Sequence, residues 1–222
     1  MSFIEQLLDG YRGYCHDYFR QRTDLSGRLA EGQNPGALVI ACSDSRVDPA
    51  VMLGADPGDL FVVRNVANIV PPADQDTGGH HGVSAAVEYA VKHLLVDHII
   101  VMGHSQCGGI GALVTGYEGD DPQTYIAGWM SCMTPALERT QAMGFDHPEW
   151  TVETQRSVCE REALKVSQEN LMTYDWLARR VQAGQLTLHA WHYDIASGNL
   201  EGLDEHNRFG TLVDLDSASE GR

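Results

Sequence analysis

The sequence predicts a single α/β domain with a central, mostly parallel β-sheet flanked by helices. Three observations predict it. Short, continuous apolar runs alternate with helical periodicity between residues 37 and 115. Gly, Pro, Asn and Asp clusters bound those runs. The 222 residues can bury one full core, and they contain no linker and no internal repeat.

Residues 2–30 read as helix, with Phe3, Leu7, Leu8, Tyr11 and then Tyr14 or Cys15 on one face, although Gly10 and Gly13 weaken it. EGQNPG (31–36) is a turn, and ALVIAC (37–42) is a buried strand by its unbroken apolar run. GADPGD (54–59) is a second turn, followed by the strand LFVVRNV (60–66) and an irregular loop over 67–82. Residues 82–95 form a helix whose stripe is Val83, Ala86, Val87, Ala90, Val91 and Leu94. HIIVMGH (98–104) is a third strand, Gly108-Gly109 opens a helix running to Thr115, and YEGDDP (117–122) is a turn. Helices are expected over 123–143 and 151–183, the second stopped by Gly184. LTLHAWHYDI (186–195) and NLEGLD (199–204) read as strands joined by Ala196-Ser197-Gly198. The expected organisation is a helical arm (1–30), an α/β core (31–204) and a tail (205–222) whose SASEGR end frays.

Composition excludes several function classes. Hydrophobic content of 43% and charged content of 21% are ordinary for a globular protein. A formal charge of −16 argues against nucleic acid and against an anionic membrane surface. The N-terminus MSFIEQLLDG is acidic and amphipathic, unlike a secretory leader, and the apolar runs are too short to span a bilayer. Five cysteines, an odd number in a chain of this size, argue against a disulfide framework. A reducing cytoplasm is therefore expected, and it would keep Cys42 and Cys107 available as thiolates.

The chemistry concentrates at two strand ends. Cys42-Ser43-Asp44-Ser45-Arg46 closes one apolar run and His104-Ser105-Gln106-Cys107 closes another. In a parallel sheet these ends meet at one edge. Two thiolates, an imidazole and a carboxylate are a zinc ligand set. Cys42 and Asp44, two residues apart, can point to the same side of an extended end. Helix amides near Gly108 and Gly109 can donate to thiolate sulfur and lower its pKa. Arg46 offers Asp44 a competing partner, so the carboxylate can vacate the metal, as a catalytic position requires. Singly, each of these residues reads as ordinary core; a closed structural zinc site is the other alternative, and a third cysteine would serve that better than Asp44.

At these residues the chain resembles the β-class carbonic anhydrases, of the plant-like, open-site kind. CSDSRV (42–47), FVVRNVAN (61–68), GVSAAVEYAV (82–91) and GHSQCGGI (103–110) match that family's pattern in order and spacing, and LHAWHYD (188–194) extends it weakly. The resemblance implies one zinc ion per chain on Cys42, His104 and Cys107, with water in the fourth position. It implies an Asp44–Arg46 dyad in which Arg46 holds Asp44 off the metal, Asp44 becoming a fourth ligand only in a closed form. It places Phe61, Val66 and Tyr89 in an apolar CO2 pocket, Gln33 as an amide contacting substrate, and Gly108 and Gly109 beside it. The bicarbonate-inhibited subgroup carries a tryptophan where this chain has Val39, although Arg64 and Tyr193 occupy the other two positions of that pocket. An incomplete inhibitory pocket, and an open site near neutral pH, are therefore expected.

The implied activity is reversible hydration of CO2 to bicarbonate and a proton, by attack of zinc-bound hydroxide. Two anionic thiolates weaken the metal's Lewis acidity relative to a three-histidine site, so activity should rise with pH above neutrality. No proton shuttle is identified; His80 and His81 lie in a loop, where histidines are more often bystanders. The resemblance also implies a homodimer or higher homo-oligomer, with the pocket at the interface and the N-terminal helix packed on a partner subunit. Two competing readings share the metal: hydrolysis of CS2 or COS on the same scaffold, and a non-catalytic zinc-binding protein.

Overall fold

The computed structural model describes residues 1–73, 81–116 and 124–213. Within them a six-stranded sheet has the order β2-β1-β3-β4-β5-β6. The strands are β1 (Ala37–Cys42), β2 (Leu60–Asn65), β3 (His98–His104), β4 (Thr187–Tyr193), β5 (Leu200–Leu203) and β6 (Phe209–Val213). The first four run parallel, and β5 and β6 are antiparallel additions. The expected mostly parallel sheet is thus present. β1 and β3 are neighbouring interior strands and are almost wholly buried, which is why their sequences lack polar alternation.

The helices in chain order are α1 (Phe3–Tyr14), α2 (Thr23–Glu31), α3 (Pro49–Leu53), α4 (Gly82–Glu88), α5 (Gly108–Thr115), α6 (Tyr125–Met130), α7 (Thr134–Phe145), α8 (Val152–Met172) and α9 (Asp175–Gln182). On one face of the sheet, Leu38, Ile40, Ile99 and Val101 pack with Val87 of α4, Leu164 of α8 and Leu177 of α9. Gly103 admits the close approach of α8, since a Cβ there would lie 3.2 Å from Leu164. A second cluster, with Cys42, Cys107, Ile110, Met130 and Ala163, gathers α5, α6 and α8 around the carboxyl ends of β1 and β3.

Several expected boundaries shift. The helix expected over 2–30 is broken near Gln21 and Arg22, where Arg22 leaves helical geometry and its guanidinium grips the Asp56 carboxylate through two 2.8 Å bonds. The helix expected over 151–183 is two. Tyr174 turns inward, 6% exposed, and its hydroxyl donates to Pro71 O at 3.1 Å. The helix expected over 123–143 divides into α6 and α7 with a 3-10 turn between them. α3 and β6 were not expected; β6 takes residues assigned to the tail and pairs with β5. The turn at 117–122, His80 and the SASEGR end lie outside the described residues. Among the described residues nothing covers the arm's apolar face: α1 has no buried residue, and Phe3 is 70% exposed. Among the described residues no helix is long and apolar enough to cross a membrane.

Candidate metal centre

From β1 the chain proceeds to β2 on one side, and from β2 to β3 on the other. The crevice of an open α/β sheet lies outside the carboxyl ends of strands at such a reversal. Cys42 ends β1 and His104 ends β3, so the crevice receives both. A left-handed residue, Gln106 at φ 59°, turns the chain from β3 into α5 and brings Cys107 alongside. Ligand atoms of Cys42, His104 and Cys107 lie within 4.8 Å of one another, and all three residues are buried.

His104 Nδ1 lies 2.8 Å from Ser105 O and must donate there, which leaves Nε2 as the lone-pair nitrogen. Nε2 is fully buried and has no hydrogen bond of acceptable geometry. Such an orphan is costly unless something else meets it. Burial pushes the His104 pKa down, but the Cys42 sulfur, Ser105 O and the Asp44 charge together leave it raised. A cation at this point would satisfy the nitrogen.

The sulfurs tell the same story. Cys107 donates to Cys42 and, against burial, the Cys42 thiol is pulled down to about 4, helped by His104 and by backbone N–H groups of Asp44 and Ala67. The same bond, with burial and the neighbouring negative charge, pushes the Cys107 thiol far up, while the Gly109 and Ile110 amides at the start of α5 oppose it. Two buried thiols thus share one negative charge. A second thiolate needs a compensating cation, and two thiolates with one imidazole are a donor set that suits zinc.

Asp44 approaches from the side, with Oδ2 3.9 Å from His104 Nε2. Arg46 restrains it: Nε donates to Oδ1 at 2.9 Å, Nη2 to Oδ2 at 2.7 Å, and the Arg46 backbone N–H to Oδ1 at 2.9 Å. These bonds hold the Asp44 carboxyl well below the usual carboxylate range. Arg46 Nη2 also donates to Gln106 O at 3.1 Å, tying the two ligand loops together. Arg64 of β2 fastens the first loop: Nη2 donates to Asp44 O and Val47 O, both at 2.6 Å, and Nε to Cys42 O at 3.0 Å.

Beyond β2 the turn Val66–Asn68 forms a wall of the site. Ala67 and Asn68 adopt φ of 63° and 48°, a conformation that side chains resist. Three neighbours hold it. Asn65 bonds both the N–H and the C=O of Ile69. Trp129 Nε1 donates to Val66 O at 2.8 Å. Gly109 packs so closely that a Cβ on it would lie 3.1 Å from both Ala67 Cβ and Val66 Cγ1. The strained turn also aims the Ala67 N–H towards the Cys42 sulfur, a small contribution to lowering that thiol's pKa.

Known proteins resemble this chain in sequence and fold. A carbonic anhydrase family profile matches residues 37–200. A carbonic anhydrase of Pseudomonas aeruginosa is 38% identical over 205 residues, covering 92% of this chain and 90% of that protein. The chain belongs to the β-class carbonic anhydrases. The structure of the β-carbonic anhydrase CcaA aligns over 97% of this chain and 94% of its own, with TM-score 0.84 and 32% identity. CafA, a β-carbonic anhydrase of Aspergillus fumigatus, aligns over 98% of this chain and 95% of its own, with TM-score 0.77 and 27% identity. A tetrameric β-carbonic anhydrase of Sordaria macrospora aligns over 95% and 97%, with TM-score 0.73 and 27% identity.

For a β-class carbonic anhydrase, one chain collects only part of the expected pocket. Val66 packs against Gly109, two residues beyond Cys107, whereas a Cβ on Gly108 would meet nothing within 4 Å. Phe61 pairs with Leu38, four residues before Cys42, or roughly 13 Å along the strand. Tyr89 packs on Phe61, with ring centroids 5.8 Å apart. Gln33 precedes β1 and lines a separate hollow of about 480 Å³ with Leu25, Gly58 and Asp59. These three therefore sit towards the opposite end of β1 from Cys42. Val39 is fully buried, and Arg64, committed to its loop, also pairs with Asp48 at 3.2 Å.

Sequence reasoning missed Glu160. It is 4% exposed on α8, and its Oε1 accepts from the Cys107 backbone N–H at 2.9 Å. The signal was available: Glu160 starts an otherwise apolar or small face continued by Ala163, Leu164, Ser167 and Leu171.

Proposed function

We propose that this β-class carbonic anhydrase hydrates CO2 reversibly to bicarbonate and a proton at one zinc ion per chain, held by Cys42, His104 and Cys107. The observation that carries the reading is His104, whose buried Nε2 has no hydrogen bond and whose ligand atom lies within 4.8 Å of the Cys42 and Cys107 sulfurs. When bound, zinc supplies the Lewis acidity that generates a nucleophile from water near neutral pH.

The chain's own residues do the rest. Asp44, kept ionised and restrained by Arg46, accepts a hydrogen bond from the attacking water and orients it. Val66 offers an apolar wall to CO2. Phe61, Tyr89 and Gln33 stand too far along β1 to reach their own Cys42, so they complete the pocket of a second subunit. There the Gln33 amide donates to the oxygen that becomes negative as bicarbonate forms. The bare apolar face of α1 supports this assembly as a homodimer or larger homo-oligomer. The free cysteines support a reducing, cytoplasmic setting.

Asp44→Ala tests the reading. The variant should keep one zinc per chain and lose at least about 100-fold in CO2 hydration, the scale of a lost proton-handling group. Full activity, or loss of zinc together with activity, would contradict it. Zinc-loaded parent protein that hydrolyses CS2 or COS but hydrates no CO2 would replace the substrate.

A further inference from the structure

Behind the metal centre lies a line of buried polar groups that no step above uses. Cys107 N–H donates to Glu160 Oε1 at 2.9 Å, and the other oxygen, Oε2, lies 3.3 Å from His192 Nε2. His192 is 1% exposed, and its Nδ1 has no hydrogen bond, its nearest charged neighbour being Glu201 Oε2 at 3.8 Å. Glu201 is His192's cross-strand partner in the β4–β5 pair. It receives Arg161 Nε at 2.9 Å and Nη2 at 2.6 Å. Arg161 also donates to Ser157 O, one turn earlier on α8. The line therefore runs from a ligand's backbone, through α8 and two strands, to a half-exposed ion pair.

A carboxyl group buried behind the metal centre is an expensive arrangement, and an apolar residue would fill the same space without it. Glu160 can accept from two donors at once, and it has two. One is the amide of Cys107, at the end of a loop that already contains the left-handed Gln106. The other is an imidazole held on the opposite side.

We propose that Glu160 is a positioning residue for the metal centre: it fixes the Cys107 loop through its backbone N–H, and His192, backed by Glu201 and Arg161, fixes Glu160. The mechanism is the acceptor, not the charge. A ligand's supporting hydrogen bonds set its orientation, and their loss costs about 10- to 100-fold in metal affinity. The inference rests on the assignment of Cys107 as a ligand.

Two substitutions separate acceptor from charge. Glu160→Met keeps the length and removes the acceptor, leaving the Cys107 amide buried and unpaired. Glu160→Gln keeps an acceptor for that amide, and its NH2 can face the lone pair of the other His192 tautomer. Two readouts apply: zinc transfer from the holoenzyme to a competing chelator, and the thiolate-to-cobalt absorption band of cobalt(II)-loaded protein. Glu160→Met should weaken zinc retention about 10- to 100-fold and shift the cobalt band. Glu160→Gln should stay within about threefold of the parent, with the parent band. Equal retention and an unchanged band in Glu160→Met would overturn the proposal, as would a Glu160→Gln variant as weak as Glu160→Met. If Glu160→Met does not fold, His192→Phe, which leaves Cys107 untouched, should still weaken retention, and parental values there would overturn the proposal. A parent protein with no thiolate-to-cobalt band would instead defeat the ligand assignment.

Discussion

Arg64 shows how one side chain can organise a loop. Its guanidinium donates to three backbone carbonyls between Cys42 and Val47 and pairs with Asp48, whose carboxylate also caps α3. Hydrogen bonds to a charged group contribute about 1.5–3 kcal/mol each. Arg64→Gln should therefore lower CO2 hydration by about tenfold or more while zinc content stays near one per chain, because the loop carrying Asp44 loosens before the ligands leave. Activity equal to the parent would show that the loop holds its shape without the clasp. At the same scale, Asp44 is depressed by Arg46, so it remains ionised until the pH falls well below the usual carboxylate range. A rise in activity from pH 7 to 9 is the expected profile of a metal bearing two thiolates, and Asp44, already ionised, does not contribute to it. A flat rate over that range, in stopped-flow assays on zinc-loaded protein, would contradict the donor set.

Elements place these residues, and most were legible. β1, β3 and α5 read correctly because buried parallel strands are continuous apolar runs and Gly108-Gly109 marks a helix start. The long helix over 151–183 was misread because its break depends on Tyr174 reaching Pro71 across the fold, which no local pattern announces. β6 was missed because it stands at the sheet's edge, mostly exposed, beyond a strand that already looked terminal. The turn after β2 was read as the start of a loop, though it proves to be a braced wall of the site. Gly109→Ala tests that bracing: its Cβ would press on Ala67 and Val66, costing about 1–3 kcal/mol of stability. Gly108→Ala, with open space around it, should stay within about 0.5 kcal/mol. Thermal melts of the two variants that coincide would show that the close packing at Gly109 is easily relieved.

The whole molecule shows why the ligands were more legible than the pocket. The three residues that could hold a metal come from adjacent strand ends of one chain, so order and spacing reveal them. Phe61 and Tyr89 fall in motifs of the same family pattern, and Gln33 in the turn before β1, but all three lie towards the other end of β1, and on the proposed reading a second copy brings them to the metal. Assembly and turnover should therefore fail together. Leu7→Glu with Leu8→Glu, on the bare face of α1, should give smaller particles in sedimentation, with zinc retained and hydration reduced at least tenfold, the low end for loss of positioning groups. Monomers that remain fully active would show that each chain completes its own pocket.

Stopped-flow CO2 hydration at about pH 8.5, on protein of measured zinc content, tests the central claim most directly, because a site of this kind should hold its nucleophile ready above neutrality. Rapid hydration in proportion to zinc, approaching one ion per chain and lost when the metal is stripped, is the predicted result. Fully zinc-loaded, assembled protein that leaves CO2 unhydrated would contradict it.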